Sequence, residues 1–359
     1  MKKDTRTVIR VAVIGFISLV SLLGETKSAA AKSGHYPEID AVVTQDGSGD
    51  FTSIQAAINS APDNSAKRYV IYIKNGNYNK EKLIVPASKT NITLLGEDRE
   101  KTVISYFIYD CNHPVSENKC PADAWALWKD NRELIRTSAT LTVMGNGFIA
   151  ENMTIANTAG PVGQALALTL RGDKITFRNC DIKSYQDTIY LMNAGMCNYF
   201  HKCLVIGRTD YIYGSGIGYF DRCEIRSWRG GWITAPSTPG KQSYGFVFNH
   251  CKLTYRGNSP RPGDDGKTIA IGRPWHNYPK VAILHSEMCK QINPKGWPTL
   301  WHMDYAPTSK KLHLYEYKNK GQGADMSRRS KWAGLRAMTA REAENYTLEK
   351  VFNGWMPVK

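Results

Sequence analysis

The sequence predicts an all-β solenoid, a chain wound in short coils whose strands stack rung upon rung. Three observations carry that expectation. The phrase Phe-x-x-Cys-x-[Ile/Leu/Val] recurs with Phe at 177, 200, 220 and 248, at gaps of 23, 20 and 28 residues, and periods in this range mark stacked repeats. Gln164, Asp187 and Asp210 recur 23 residues apart, each beside an apolar run rich in strand formers. From Leu141 onward, short apolar strands alternate with Asn, Asp and Gly turns, with no long helical pattern between them. In such a stack, equivalent positions lie about 4.8 Å apart. The amide and two acids then form one cluster on one face, while Phe and Cys fill the interior as ladders. A lone Asp at a strand end is more often a turn or cap residue; a threefold coincidence of period and apolar flank favours the cluster.

Taken in order, the chain opens with the pattern of a secretory signal over residues 1–31. Lys2, Lys3, Arg6 and Arg10 precede a thirteen-residue apolar run, Val11 to Leu23, and the small residues Ser28-Ala-Ala-Ala31 follow. That run is short for a membrane span, and no other segment is apolar enough for one. Residues 32–359 are expected to form a single domain, monomeric and free of membrane in its mature form. Val42-Val43 begins the first strand and Asp46-Gly-Ser-Gly-Asp50 is a turn. Phe51 to Ala61 reads as an amphipathic helix with Ile54, Ala57 and Ile58 on its apolar face, placed to cover the open N-terminal end of the solenoid. Tyr69 to Ile73 and Ile92 to Leu95 are strands. Near the other end, Thr339 to Lys350 reads as a short helix packed on the outside.

Composition bounds the function. The 359 residues are 42% apolar and carry a net charge of +15; without residues 1–31, which hold five Lys/Arg and two Asp/Glu, the balance is +12. A basic protein suits an anionic partner. Zinc-ligand spacings and compact Lys/Arg runs are missing, which argues against a nucleic-acid module and against a metal site. Export permits disulfides. Cys111 and Cys120 bracket a polar, proline-containing insertion and read as a loop staple; Cys197 and Cys289 have no evident partner.

The ordered motifs Asp46-Gly-Ser-Gly-Asp-Phe51, Gly147-Phe-Ile-Ala150, Asn157-Thr-Ala-Gly-Pro161, Gln164-Ala-Leu-Ala-Leu168, Gln186-Asp-Thr188, Asp210-Tyr-Ile-Tyr-Gly214, Gly272-Arg-Pro-Trp275 and Gly296-Trp297 resemble those of the pectin methylesterases, from about Val42 to Trp355. The resemblance implies a right-handed parallel β-helix that needs no cofactor and acts on pectin (homogalacturonan). By position it implies Asp210 as nucleophile and Asp187 as general acid and then base. Gln164 and Gln186 become oxyanion donors, and Arg273 the residue that holds the nucleophile. Trp275, Trp297 and Tyr211 become substrate-binding residues of the sugar cleft. It also implies a Cys203–Cys223 disulfide, as in some bacterial members. The chemistry agrees: ester hydrolysis needs a nucleophile, a proton donor and oxyanion donors, and two neighbouring carboxylates cannot easily both ionise.

Three departures stand out. The usual Gly-x-Tyr-x-Glu reads Gly76-Asn-Tyr-Asn-Lys80, with Glu81 one place late. The Asn193 to Asn198 loop adds two residues between the aspartates. The insertion from about Phe107 to Asn131 lies where the family has loops beside the cleft. Other readings remain open: a lyase on the same fold, an esterase acting on another acyl ester, and a β-helix that only binds polysaccharide.

Overall fold

Each coil of the chain lays one short strand into each of three parallel sheets, so side chains a whole coil apart in sequence become neighbours. The computed structural model describes residues 38–110 and 139–357, apart from Asn258, Pro262 and His302. Among these residues the sheets hold eleven, seven and eight strands, and every strand pairs in parallel with the next coil. From Asp40 onward the chain is one compact unit. The expected signal segment and the Cys111–Cys120 staple lie outside the described residues.

The interior is built from the repeated phrase. Phe177, Phe200, Phe220 and Phe248 pair in register across four consecutive strands of the eleven-stranded sheet. Their rings stack with centroids 5.3, 4.5 and 4.8 Å apart, and Phe148 extends the ladder at 6.0 Å. All are buried. Offset stacking adds about 0.5–1.5 kcal/mol per pair beyond burial, and truncating one such ring to Ala costs about 3–5 kcal/mol. The unequal gaps do not disturb the ladder because the extra residues fall in loops.

The residue before each Cys turns the corner into the next sheet. Asn179, Lys202, Arg222 and His250 all take left-handed φ values, between 49° and 55°. Cys180, Cys203, Cys223 and Cys251 then point inward as buried free thiols. This corrects the expected Cys203–Cys223 bridge. Stacked in register, the thiols run side by side, and each donates to a backbone carbonyl of the coil before. Cys203 Sγ meets Phe177 O at 3.5 Å, Cys223 Sγ meets Phe200 O at 3.3 Å, and Cys251 Sγ meets Phe220 O at 3.2 Å. Burial pushes the Cys203 and Cys223 thiols well up, away from reactive thiolate.

A helix covers the N-terminal end. The N-terminal helix spans Ile54–Ser60 and buries Ile54, Ala57 and Ile58. It starts three residues later than the sequence suggests, because Phe51 bridges to Val43 as a strand residue and the Ser53 hydroxyl caps Ala56 N–H at 3.1 Å. Glu81, one place late in its motif, accepts from Ser53 Oγ at 2.8 Å and from Gln55 N–H at 3.3 Å, so it serves this cap. Near the C-terminus the expected single helix is broken into two one-turn helices, Ala340–Ala343 and Leu348–Val351, with a 3-10 turn, Glu344–Tyr346, between them. Thr347, extended, ends the 3-10 turn and caps the second helix. Phe352 then packs on Tyr199 and Tyr219, outside the eleven-stranded sheet.

Candidate active site

Asp187 and Asp210 occupy the same corner of two consecutive coils, one residue short of paired strands of the seven-stranded sheet. Ile189–Leu191 and Ile212–Gly214 pair in register, Gln186 bridges Thr209, and Asp187 N–H donates to Thr209 O at 2.9 Å. The 23-residue spacing of the acids therefore brings them side by side, and the loop around Gly195 absorbs its extra residues without moving them. Both aspartates are left-handed, at φ 62° and 49°, a conformation that Asp tolerates better than most residues. Both are buried.

Gln164 departs from the strict period. Ala165 N–H donates to Gln186 O, while Ala167 and Leu168 N–H both donate to Thr188 O. One residue is thus absorbed as a bulge, and Gln164 runs beside Gln186 instead of Asp187. Both amides are partly exposed, which leaves them accessible to a ligand beside the acids.

Arg273 follows the Ala270–Gly272 strand, two coils beyond Asp210. Its Nε donates to Asp210 Oδ1 at 2.9 Å and a terminal nitrogen donates to Oδ2, the bidentate fork that suits a carboxylate. The guanidinium lies between two indoles, 3.7 Å from the Trp301 ring centre and 4.4 Å from that of Trp232. This packing fixes the plane of the fork.

Electrostatics separates the two acids. Burial pushes Asp187 well above the usual carboxylate range, the charge of Asp210 adds to this, Arg273 opposes it, and Asp110 raises it further. Burial also raises Asp210, but the hydrogen bonds and charge of Arg273, and the charge of Arg208, act against it. Within the pair the proton therefore rests on Asp187 and the negative charge on Asp210. A buried neutral acid beside an ionised, oriented carboxylate is an arrangement that can pair a proton donor with a nucleophile. Among the described residues, no group of three or more His, Cys, Asp or Glu is placed to hold a metal ion.

A family model described as Pectinesterase matches residues 40–115 and 126–354. The chain belongs to the pectinesterase family. It is 34% identical over 324 residues to a probable pectinesterase/pectinesterase inhibitor from Arabidopsis thaliana, covering 88% of this chain and 48% of that protein. A second relative, from Prunus persica, is 34% identical over 329 residues, covering 89% and 58%. The chain spans about half the length of the curated relatives it matches. Among solved structures, a pectin methylesterase from carrot superposes with a TM-score of 0.76 at 31% identity, covering 89% of this chain and 94% of that one. The fold is the parallel β-helix of these pectinesterases.

At this site the aromatic expectations divide. Trp275 is partly exposed and sits edge-on to Tyr213 at 5.7 Å, beside the 4.3 Å stack of Tyr190 on Tyr213. Trp297 and Tyr211 are corrected: both are core. Trp297 is 2% exposed and lies under Gly272, where a Cβ would come within 2.6 Å of its ring; it supports the Arg273 segment from behind. Tyr211 turns inward immediately after Asp210, and its hydroxyl meets Ser227 Oγ at 2.6 Å. Sequence reading passed over Trp232, Trp301 and Asp110, which come from separate coils and carry no shared spacing.

Proposed function

We propose that this pectinesterase hydrolyses the C6 methyl esters of homogalacturonan. The observation that carries the proposal is the Arg273-clasped carboxylate of Asp210 beside the neutral Asp187. In this reading an Asp210 oxygen attacks the ester carbonyl carbon. Gln164 and Gln186 donate to the oxyanion of the tetrahedral intermediate. The intermediate collapses with cleavage of the C–O bond, and the Asp187 proton passes to the departing methoxide as methanol. An acyl anhydride then links Asp210 to the sugar. Asp187, now ionised, takes a proton from water; hydroxide attacks the anhydride, releasing the galacturonic acid and restoring Asp210. Trp275 forms part of the sugar cleft.

Several lines support pectin as substrate. A pectin methylesterase structure in complex with a hexasaccharide matches at a TM-score of 0.70 and 26% identity, and a net charge of +15 favours an acidic polymer. No organic cofactor takes part in this sequence of steps. The signal pattern of residues 1–31 favours a secreted or periplasmic location, with the mature protein monomeric, and no described helix is long and apolar enough to cross a membrane. The test is methanol release from highly methylated pectin, with absorbance of unsaturated products read in parallel. Methanol without unsaturated product is expected; unsaturated product without methanol would replace the esterase reading with a lyase.

A further inference from the structure

Arg208 stands two residues before Asp210 and takes no part in the steps above, yet it is built into the site. Among the described residues, two ion pairs have both side chains no more than 5% exposed, and Arg208–Asp264 is one of them. Arg208 Nε donates to Asp264 Oδ2 at 2.6 Å, one terminal nitrogen donates to Oδ1 at 2.7 Å, and the other donates to Thr209 Oγ1 at 2.6 Å. The neighbouring coil is shaped to admit the pair. A Cβ on Gly231 would fall 1.7 Å from Arg208 O, and one on Gly230 would fall 2.5 Å from Asp264 Oδ1. Trp232, next in sequence, donates its backbone N–H to Arg208 O at 2.9 Å and lends its ring to Arg273. Stability alone is a weak reason to bury two charges, since an apolar pair of similar shape often serves as well or better.

We propose that Arg208, locked by Asp264, is a positioning residue for the nucleophile: through its bond to Thr209 it fixes the turn that carries the left-handed Asp210, and it adds a second positive charge near the carboxylate that Arg273 clasps. This rests on the reading of Asp210 as nucleophile. The groups acting on Asp210 are Arg273, Asp187 and Arg208, with the Tyr213 phenol alongside. Those acting on Arg208 and Asp264 are Lys267, 3.6 Å from the Asp264 carboxylate, and Tyr185, whose hydroxyl meets Ser259 and which also feels Arg261. Burial works to raise Asp264, but the hydrogen bonds and charge of Arg208 outweigh it and hold the carboxyl below its usual range. Asp264 therefore remains charged and tempers the field of Arg208 at Asp210.

The test is the acid limb of the pH profile of kcat/KM for methanol release. Asp264→Asn leaves the Arg208 charge untempered, so the limb moves to lower pH. The double variant Arg208→Gln with Asp264→Asn removes the nearer charge and strands neither partner, so the limb moves to higher pH. Each shift is about one unit, the size expected for a charge several ångströms away at moderate dielectric. A purely structural clamp would lower kcat and leave the limb in place. Limbs that stay put, or that move the same way in both variants, overturn the proposal. If Asp264→Asn does not fold, the double variant alone decides, and a limb that does not rise overturns it. Wild-type protein that releases no methanol overturns the nucleophile reading instead.

Discussion

Two corners of the same coil use one backbone device for different ends. At the corner after each interior Phe, the left-handed position is held by Asn179, Lys202, Arg222 and His250, all exposed. At the corner before the seven-stranded sheet it is held by Asp187 and Asp210, both buried. The first corner needs only a tight change of direction, and residues of very different chemistry supply it. The second uses the turn to aim a carboxylate, at the cost of burying it. Identity is loose where the backbone alone is used, and strict where the side chain is the purpose.

The comparison is broken most severely at Asp210. Asp210→Asn keeps the shape and removes the nucleophile, so methanol release is expected to fall by more than about 10⁴-fold, as when a nucleophile acting in concert with its partners is lost. Circular dichroism should remain that of the wild type. Asp187→Asn is expected to cost about 10²–10⁴-fold, the value of general acid–base help. An ester with a better leaving group than methoxide should partly rescue Asp187→Asn and leave Asp210→Asn inactive; a reversed pattern would exchange the two roles.

A smaller effect sharpens the electrostatic side of the contrast. Asp187 is raised on folding, so its contribution to stability is present at acid pH and is lost as pH rises through its folded value. Wild-type melting temperature should therefore fall with rising pH more steeply than that of Asp187→Asn. Parallel melting curves from about pH 4 upward, the ordinary carboxylate range, would show that Asp187 does not carry the proton. The proposed mechanism requires Asp210 ionised and Asp187 protonated, so kcat/KM should be bell-shaped in pH, with limbs belonging to the pair. The smallest effect belongs to the outer corner. Arg222→Gly, at φ 55°, relieves a left-handed non-glycine residue and should change stability by no more than about 1 kcal/mol, with kcat unchanged. A tenfold loss of kcat would mean that this corner also communicates with the site.

Much of this was legible in the sequence, for a physical reason. Parallel pairing fixes register within a rung, so the Phe positions stack despite gaps of 23, 20 and 28 residues. The aspartates align because their strands pair without a break. Gln164 falls one place short of Asp187 because its strand pairs Leu168 with Ile189, 21 residues on, and the bulge at Ala167 and Leu168 recovers only one of the two missing residues; no residue there announces it. Tyr211 and Trp297 were misread because a motif gives position without direction: both face inward. The family resemblance implied a Cys203–Cys223 bridge, but in-register side chains run parallel and their thiols donate to carbonyls. The Trp232 and Trp301 brackets and the Asp264 lock are assembled from distant coils, and only the fold brings them together.

The column of buried thiols makes the solenoid its own ruler. Cys180, Cys203, Cys223 and Cys251 mark four successive rungs, and a coil in a stack touches only its neighbours. A thiol becomes open to an alkylating reagent only when its rung parts from the next. The order in which the four are alkylated under mild denaturant therefore records which end of the stack unwinds first. It also shows whether the rungs that bear Asp187 and Asp210 open together or one at a time.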